Sequence, residues 1–138
     1  MSTLQRISMT IEEDLAEQFD EVIRHKGYES RSEAIRDLIR RSLVERQWEE
    51  GTEEVVGTLT VVYDHEKREI AKKIVRAGHE EPGLVLATLH IHLDHHNCLE
   101  VMALRGMPAQ VRRFADGILH AKGVKHGDLV MTTMGCHV

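Results

Sequence analysis

The segment His90-Ile91-His92, followed closely by Cys98, holds the side chains of this chain that are best suited to metal chemistry. Side chains alternate between the two faces of a β-strand, so histidines separated by one residue point the same way. Cys98 begins the next predicted strand, and antiparallel pairing through a turn at 94–97 brings its thiol beside both imidazoles. Two nitrogen donors and a thiolate suit a borderline transition metal such as nickel, copper or zinc. The sequence therefore predicts a three-ligand metal site that needs a fourth ligand.

The predicted strand over 84–93 is apolar at every odd position, and we expect those side chains to face the core. The two histidines then lie with Cys98 on the helix-free face of the sheet. His79, at the end of the preceding helix, is a candidate fourth ligand that a second subunit could supply. Glu100 is a candidate acceptor that orients an imidazole N–H next to the metal.

An enzyme is an alternative interpretation of the same residues. Three protein ligands with an open fourth position also hold catalytic zinc, so His90, His92 and Cys98 could serve a zinc-dependent hydrolase. The sequence contains no glycine-rich phosphate loop and no nucleophile motif that favours catalysis. We therefore expect a metal site without enzymatic activity.

The hydrophobic pattern after a polar, acidic linker at 47–54 predicts the order β-α-β-β-α-β. The predicted elements are strand 55–63, helix 65–77, strand 84–93, strand 98–105, helix 108–122 and strand 126–132. This order is that of a ferredoxin-like sandwich, in which helices cover one face of an antiparallel sheet. We expect it to form a second domain over residues 55–138.

Residues 1–48 are expected to form a first domain of one strand and two helices. Polar and apolar side chains alternate over 5–11, which predicts a half-buried strand. Thr10-x-x-Glu13 and Ser30-x-x-Glu33 are capping boxes for the two helices, and Gly27 is expected to end the first. A lone strand leaves its backbone edge unpaired, so we expect a two-stranded ribbon formed with a second copy of the chain.

A two-stranded ribbon fits the major groove of DNA. Its outward side chains, which could read base edges, are Arg6, Ser8 and Thr10. The N-terminus of the second helix, capped by Ser30, could hold a phosphate with its free amides, and Arg31 and Arg36 would add charge there. The pattern predicts DNA binding, although an alternating strand is also compatible with an ordinary edge strand.

Composition limits these possibilities. The chain has 138 residues and a net charge of −5, and residues 1–50 contain eight basic and twelve acidic side chains. So little basic surface predicts weak non-specific DNA affinity and a need for a second level of control. The absence of an apolar leader and of a membrane-length segment favours a cytoplasmic protein with no membrane association. Cys98 and Cys136 are then expected to be reduced thiols.

These residues, taken in order, resemble the nickel-responsive transcriptional regulator family over about residues 4–132. The matching segments are Arg6-Ile7-Ser8-Met9-Thr10, Gly27-Tyr28, Arg31-Ser32-Glu33-Ala34-Ile35-Arg36-Asp37, Tyr63-Asp64-His65-Glu66-Lys67-Arg68, Ala87-Thr88-Leu89-His90-Ile91-His92, Cys98-Leu99-Glu100 and Val124-Lys125-His126-Gly127. A generic ribbon-helix-helix protein would match only the first third of the chain.

The resemblance implies an α+β protein that forms a homotetramer. Two ribbon-helix-helix dimers would flank four ferredoxin-like domains of the ACT type, which bind Ni(II). The nickel ligands carry over as His90, His92 and Cys98 of one subunit and His79 of a neighbouring subunit. They would form a four-coordinate planar site, a geometry that Ni(II) and Cu(II) favour and Zn(II) does not.

The resemblance also implies roles at the DNA. Base-reading residues carry over as Arg6, Ser8 and Thr10, and phosphate contacts as Ser30, Arg31, Arg36, Lys67 and Arg68. Glu33 and Asp37 match a second cation site near the DNA in some relatives. The chain departs from the family where Glu80, Glu81 and Pro82 follow His79, in place of a histidine cluster found in some relatives. The tail Gly135-Cys136-His137-Val138 has no counterpart.

The expected function is a cytoplasmic repressor that binds a palindromic double-stranded operator when loaded with nickel and so controls nickel uptake. A metal-independent ribbon-helix-helix repressor, with a second domain that binds a small molecule such as an amino acid, is a further alternative. Copper, zinc and cobalt are alternatives to nickel as the physiological metal.

Overall fold

The computed structural model describes residues 3–136 and residue 138. The chain divides into two compact units, the first ending at Arg41 and the second beginning at Ser42. Within the described residues, no helix combines the length and the apolarity needed to cross a lipid bilayer.

Two helices carry the N-terminal part of the chain, α1 (Glu13–Lys26) and α2 (Arg31–Glu50). Gly27 ends α1 in the left-handed conformation at φ 73°, which glycine adopts without a steric penalty. Ser30 precedes α2, and its Oγ accepts a hydrogen bond of 3.2 Å from the amide of Glu33. The predicted end of α1 and the Ser30 cap of α2 are therefore confirmed. The second bond of the predicted capping box differs, because the Glu33 carboxylate accepts from the amide of Glu29 and not from that of Ser30.

The predicted cap of α1 is wrong. The helix begins at Glu13, so Glu12 and not Thr10 occupies the N-cap position, and no side chain caps the free amides there. The acidic side chains of Glu13 and Asp14 lie in the first turn instead, where negative charge is favoured by the helix dipole.

The predicted strand over 5–11 is not formed in the single chain, whose residues 3–12 belong to no helix or strand. Its apolar side chains lie in solvent, and Ile7 is 76% exposed. A strand exists only where a second strand accepts and donates its backbone hydrogen bonds, and in the described chain nothing pairs with this segment.

The predicted linker at 47–54 is also partly wrong, because α2 continues through Glu50. Trp48 lies in that last turn, is 3% exposed and belongs to the hydrophobic core of the second unit. Its indole N–H donates a 2.8 Å hydrogen bond to the carbonyl of Thr132, and the Arg112 guanidinium lies 5.5 Å from its ring centroid. Burial of this large ring makes residues 47–50 part of the second unit and not of a linker.

The second unit contains one antiparallel sheet and two further helices. Its elements are β1 (Val55–Asp64), α3 (Arg68–Glu80), β2 (Val85–His92), β3 (Asn97–Gly106), α4 (Pro108–Leu119) and β4 (Val124–Thr132). The strands lie in the order β2-β3-β1-β4. The predicted βαββαβ order and the α+β class are confirmed, although α3 starts and ends later, and α4 ends earlier, than the pattern indicated.

One face of this sheet is covered by α3 and α4. Side chains of β1 alternate between buried and half-buried along the whole strand, as expected for a strand with one covered face. The buried core residues of the second unit are Trp48, Val55, Leu59, Val61, Tyr63, Ile70, Ile74, Leu84, Cys98, Met102, Leu104, Val111, Phe114, Ala115 and Ile118. Cys98 therefore points toward the helices, a position that decides where the metal ligands lie.

The opposite face of the sheet carries no helix and is partly apolar. Leu89 and Ile91 of the edge strand β2 lie there, 57% and 38% exposed, and Val130 of β4 is 56% exposed. Apolar side chains that stay in water at neighbouring positions of a sheet commonly mark a contact surface.

The packing of Trp48 can be tested by substitution. Trp48→Phe removes the indole N–H and part of the buried ring, so we expect the free energy of unfolding of the second unit to fall by about 1–3 kcal/mol. Chemical denaturation followed by circular dichroism measures this, with the exposed neighbour Glu49→Ala as control. Equal unfolding curves for the two variants would show that Trp48 does not stabilise the second unit.

Candidate metal centre

His90, His92 and Cys98 meet because β2 pairs with β3 in antiparallel register. His92 lies opposite Cys98, and His90 lies opposite Glu100. The donor atoms of the three predicted ligands all lie within 4.8 Å of one another. Nδ1 of His92 is 3.4 Å from Sγ of Cys98, and the two imidazole centroids are 4.8 Å apart. This is a cluster of two nitrogens and one sulfur around a single point.

The predicted face of the sheet is wrong. The three side chains were expected on the helix-free face, but they share the face that packs against α3 and α4. Because β2 is an edge strand, the helices cover Cys98 fully and leave His90 and His92 exposed. Ala87, Leu89 and Ile91 of β2 point instead to the open face, which no helix of the described chain covers. Val85 lies before a shift in the strand register and packs against the core, as predicted.

The turn between the two strands is fixed by Asp94. Its Oδ1 accepts hydrogen bonds from the amides of His96, at 2.7 Å, and Asn97, at 2.8 Å, while Oδ2 accepts one of 2.8 Å from the Asn97 side chain. These hydrogen bonds lower the pKa of Asp94 to about 2. The short turn reverses the chain so that Cys98 lies opposite His92.

A buried carboxylate supports His90. Glu100 is only 6% exposed, and its Oε2 lies 2.6 Å from Nδ1 of His90. The hydroxyl of Tyr63 donates a 3.0 Å hydrogen bond to the same oxygen. Burial and Glu100 raise the pKa of Tyr63, so its hydroxyl keeps its proton. Glu100 was singled out from the sequence, whereas Tyr63 was missed because its pairing opposite Cys98 joins positions 35 apart in the chain.

Cys98 is fully buried in the chain. Burial, followed by the charges of Glu100 and Asp94, raises the pKa of its thiol. A metal binds the thiolate, so it must displace the thiol proton, and this competition makes metal affinity increase with pH.

The candidate fourth ligand lies apart from the cluster. His79 is exposed on the last turns of α3, and among the described residues the only cluster of possible metal ligands is His90, His92 and Cys98. His65 is nearer, with its ring centroid 5.8 Å from that of His92. In the tail, Cys136 is an exposed free thiol, and His137 lies outside the described residues.

The predicted base-reading side chains, Arg6, Ser8 and Thr10, are all exposed in the segment before α1. At the start of α2, Arg31 forms a two-point ion pair with Asp20, with N–O distances of 2.8 and 2.7 Å. Arg36 is exposed, as is Lys67 at the N-cap of α3. Arg68 begins α3, and its side chain lies outside the described part of the structure.

Glu33 and Asp37, the residues matched to a second cation site, have partners within the first unit. An oxygen of Glu33 accepts a 3.1 Å hydrogen bond from the amide of Glu29. Asp37 accepts one from the Tyr28 hydroxyl and lies 3.8 Å from Arg41. The described residues bring no third cation ligand to them.

Two family models match the chain. The model described as the NikR C terminal nickel binding domain matches residues 56–132, and the model of the ribbon-helix-helix proteins of the copG family matches residues 5–46. The first match covers the sheet, both of its helices and all three clustered metal ligands. The second covers the unpaired segment, α1 and most of α2.

Similar proteins occur in several bacteria, and each carries the name “Putative nickel-responsive regulator”. The chain is 53% identical to one from Geobacter sulfurreducens and 52% identical to one from Geotalea uraniireducens, in both cases over 94% of each protein. It is 50% identical to one from Solibacter usitatus over 100% of this chain and 99% of that protein.

The Asp94 turn predicts a pH dependence. The folded-state pKa is about 2 against 3.8 for the free side chain, so the stability that Asp94 supplies is complete above pH 3.8 and is lost as pH falls toward 2. The difference in thermal midpoint between the parent chain and Asp94→Ala is therefore expected to shrink below about pH 4. Asp116→Ala, at an exposed position of α4, is the control. A difference that grows on acidification would contradict this role of Asp94.

Proposed function

This chain belongs to the family of nickel-responsive transcriptional regulators, and from that premise we propose that it is a cytoplasmic repressor that binds operator DNA when loaded with nickel. The observation that carries the proposal is the convergence of His90, His92 and Cys98 within 4.8 Å. By binding its operator, such a regulator is expected to control nickel uptake.

The donor set fits a nickel ion. Imidazole nitrogen and thiolate sulfur are ligands of Ni(II), and the two histidines are exposed on the edge strand β2 while Cys98 is buried behind them. His92 presents Nδ1 toward Cys98, and His90 has Nδ1 engaged by Glu100, which leaves Nε2 as its free donor. Bound nickel would supply a fixed divalent charge that ties these three side chains together.

A fourth donor is proposed to come from His79 of a second copy. His79 is exposed and stands outside the cluster of its own chain, so it is available to another subunit. The exposed apolar side chains of Leu89, Ile91 and Val130 give the sheet a face suited to contact with further copies. A homotetramer built from two dimers satisfies both requirements, because nickel then joins subunits directly.

The DNA-binding part is proposed to be complete only as a dimer. The segment that carries Arg6, Ser8 and Thr10 has no strand partner in the described chain, and a second copy provides one. The paired ribbon would read base edges in the major groove. Phosphates would contact the amide end of α2 at Ser30, where Arg31 would share its guanidinium with Asp20. Arg36, Lys67 and Arg68 are further proposed phosphate contacts.

Linkage between the two kinds of site provides the switch. Nickel that joins subunits restricts the arrangements open to the DNA-binding dimers, and it favours the arrangement that grips both halves of a palindromic operator. A coupling free energy of about 1–3 kcal/mol between nickel and DNA is enough for a useful response. Family membership favours this function over the zinc-dependent hydrolase and over the metal-independent repressor.

A second cation site near the DNA, formed by Glu33 and Asp37, is a separate proposal.

Replacement of the clustered thiol tests the nickel switch. Cys98→Ala removes the only sulfur donor of the cluster, so we expect nickel-stimulated operator binding to be abolished while the protein remains folded. An electrophoretic shift of operator DNA with and without nickel measures the effect, and circular dichroism checks the fold. Cys136→Ala, which removes the other, exposed cysteine, is the matched control and should respond to nickel as the parent chain does. Equal stimulation of both variants would reject the site.

A mixing experiment tests whether His79 acts between subunits. His79→Ala and Cys98→Ala are each expected to lose tight nickel binding when assembled alone. In co-expressed mixed assemblies, the intact His79 of a Cys98→Ala chain can complete the cluster of a His79→Ala chain, so a fraction of the sites should be restored. Nickel titration of tagged mixed assemblies measures that fraction. If every mixed assembly remained without tight sites, His79 would not act between chains.

A further inference from the structure

Tyr63, which was not among the candidate residues, lies beside the metal cluster. It occupies the end of β1 opposite Cys98 and is 2% exposed. Its hydroxyl donates a 3.0 Å hydrogen bond to Oε2 of Glu100 and lies 3.2 Å from Nδ1 of His90. The same Glu100 oxygen lies 2.6 Å from that nitrogen. One tyrosine, one carboxylate and one ligand imidazole thus form a closed triangle.

The protons of this triangle can be placed by elimination. A tyrosine has one hydroxyl proton, and it points to Glu100. A carboxylate only accepts, so Nδ1 of His90 must carry a proton to face Oε2 at 2.6 Å. The same N–H then makes a bifurcated hydrogen bond, whose weaker acceptor is the Tyr63 oxygen at 3.2 Å. Of the two neutral tautomers of His90, only the one whose free lone pair is on Nε2 satisfies every contact.

Tyr63 fixes the acceptor on which that tautomer depends. The hydrogen bonds found for the Glu100 side chain within the described residues are those to Tyr63 and His90. His90 itself is on an exposed edge strand, where packing alone does not hold its ring. Without the hydroxyl, the buried carboxylate loses one of its two donors and can rotate away from Nδ1.

We propose that Tyr63 is a positioning residue for the nickel site, because its hydroxyl holds Glu100 so that His90 keeps its proton on Nδ1 and presents Nε2 to the metal. The effect of Tyr63 on nickel affinity rests on the proposed function. The tautomer of His90 exists without metal, however, so it can be observed independently of nickel binding.

The experiment begins with the metal-free, full-length protein labelled with ¹⁵N. Long-range ¹H–¹⁵N spectra at about pH 8.5, where imidazoles are neutral, report which ring nitrogen carries the proton. The parent chain is expected to show His90 protonated at Nδ1, and Tyr63→Phe a mixture of both tautomers. Nickel affinity, measured by competition with a chelator, should fall about 10-fold in Tyr63→Phe. A merely structural role of the ring would leave the tautomer unchanged.

The chain contains its own matched control. Tyr28 is the other tyrosine, and its hydroxyl also donates to a carboxylate, that of Asp37 in the first unit. Tyr28→Phe makes the same chemical change at a hydroxyl whose partner is Asp37 and not Glu100, so the tautomer of His90 and the nickel affinity should stay as in the parent chain. Unfolding curves for both variants show whether any change follows stability alone.

A double-mutant cycle tests whether Tyr63 acts through Glu100. Glu100→Gln replaces the carboxylate by a weaker acceptor and should also mix the tautomers of His90. Adding Tyr63→Phe to Glu100→Gln should then have little further effect. If Tyr63→Phe does not fold, Glu100→Gln alone decides, and an unchanged His90 spectrum overturns the proposal.

Two results would overturn the role of Tyr63. The first is parent-like His90 shifts and nickel affinity in Tyr63→Phe, and the second is an equal effect of Tyr63→Phe with and without Glu100→Gln. A parent chain that does not bind nickel would instead contradict the proposed function. The metal-free spectra would still report the tautomer in that case, so the two failures are distinguishable.

Discussion

The antiparallel pairing of β2 with β3 is the constraint on which the metal cluster depends. It sets His92 against Cys98 and His90 against Glu100, so one register supplies both the ligands and the acceptor behind them. A slip of β2 by one residue along β3 would turn His90 and His92 to the other face of the sheet, away from Cys98 and Glu100. The Asp94 hydrogen bonds at the turn oppose such a slip by fixing the length of the connection.

The order of the elements and the identity of the clustered ligands follow from local patterns in the sequence. Alternation along a strand places His90 and His92 together, and a short turn limits where Cys98 can lie. The covered face was assigned wrongly because β2 is apolar on the side that no helix covers. Periodicity separates the two faces of an edge strand, but the strand order decides which one the helices cover.

Contacts between distant parts of the chain were beyond the reach of local patterns. Tyr63 reaches the cluster only because β1 pairs with β3, and Trp48 enters the core of the second unit beside Thr132 of the last strand. The predicted strand over 5–11 is not formed because a strand needs a pairing partner, and the described chain contains none for this segment. Periodicity indicates which face of a segment must be buried or which strand edge must be paired, and the rest of the molecule determines whether a partner is present.

The buried carboxylate of Glu100 also has a consequence for which ions the cluster tolerates. When Cys98 is a thiolate, its negative charge lies close to that of the Glu100 carboxylate, and both side chains are buried. A doubly charged ion would cancel both, so that the filled cluster would be electrically neutral and would avoid the cost of burying net charge. A singly charged ion such as Cu(I) would leave one negative charge without compensation. The charge balance of the cluster would therefore favour a divalent ion over a monovalent one, in addition to any preference for ligand type.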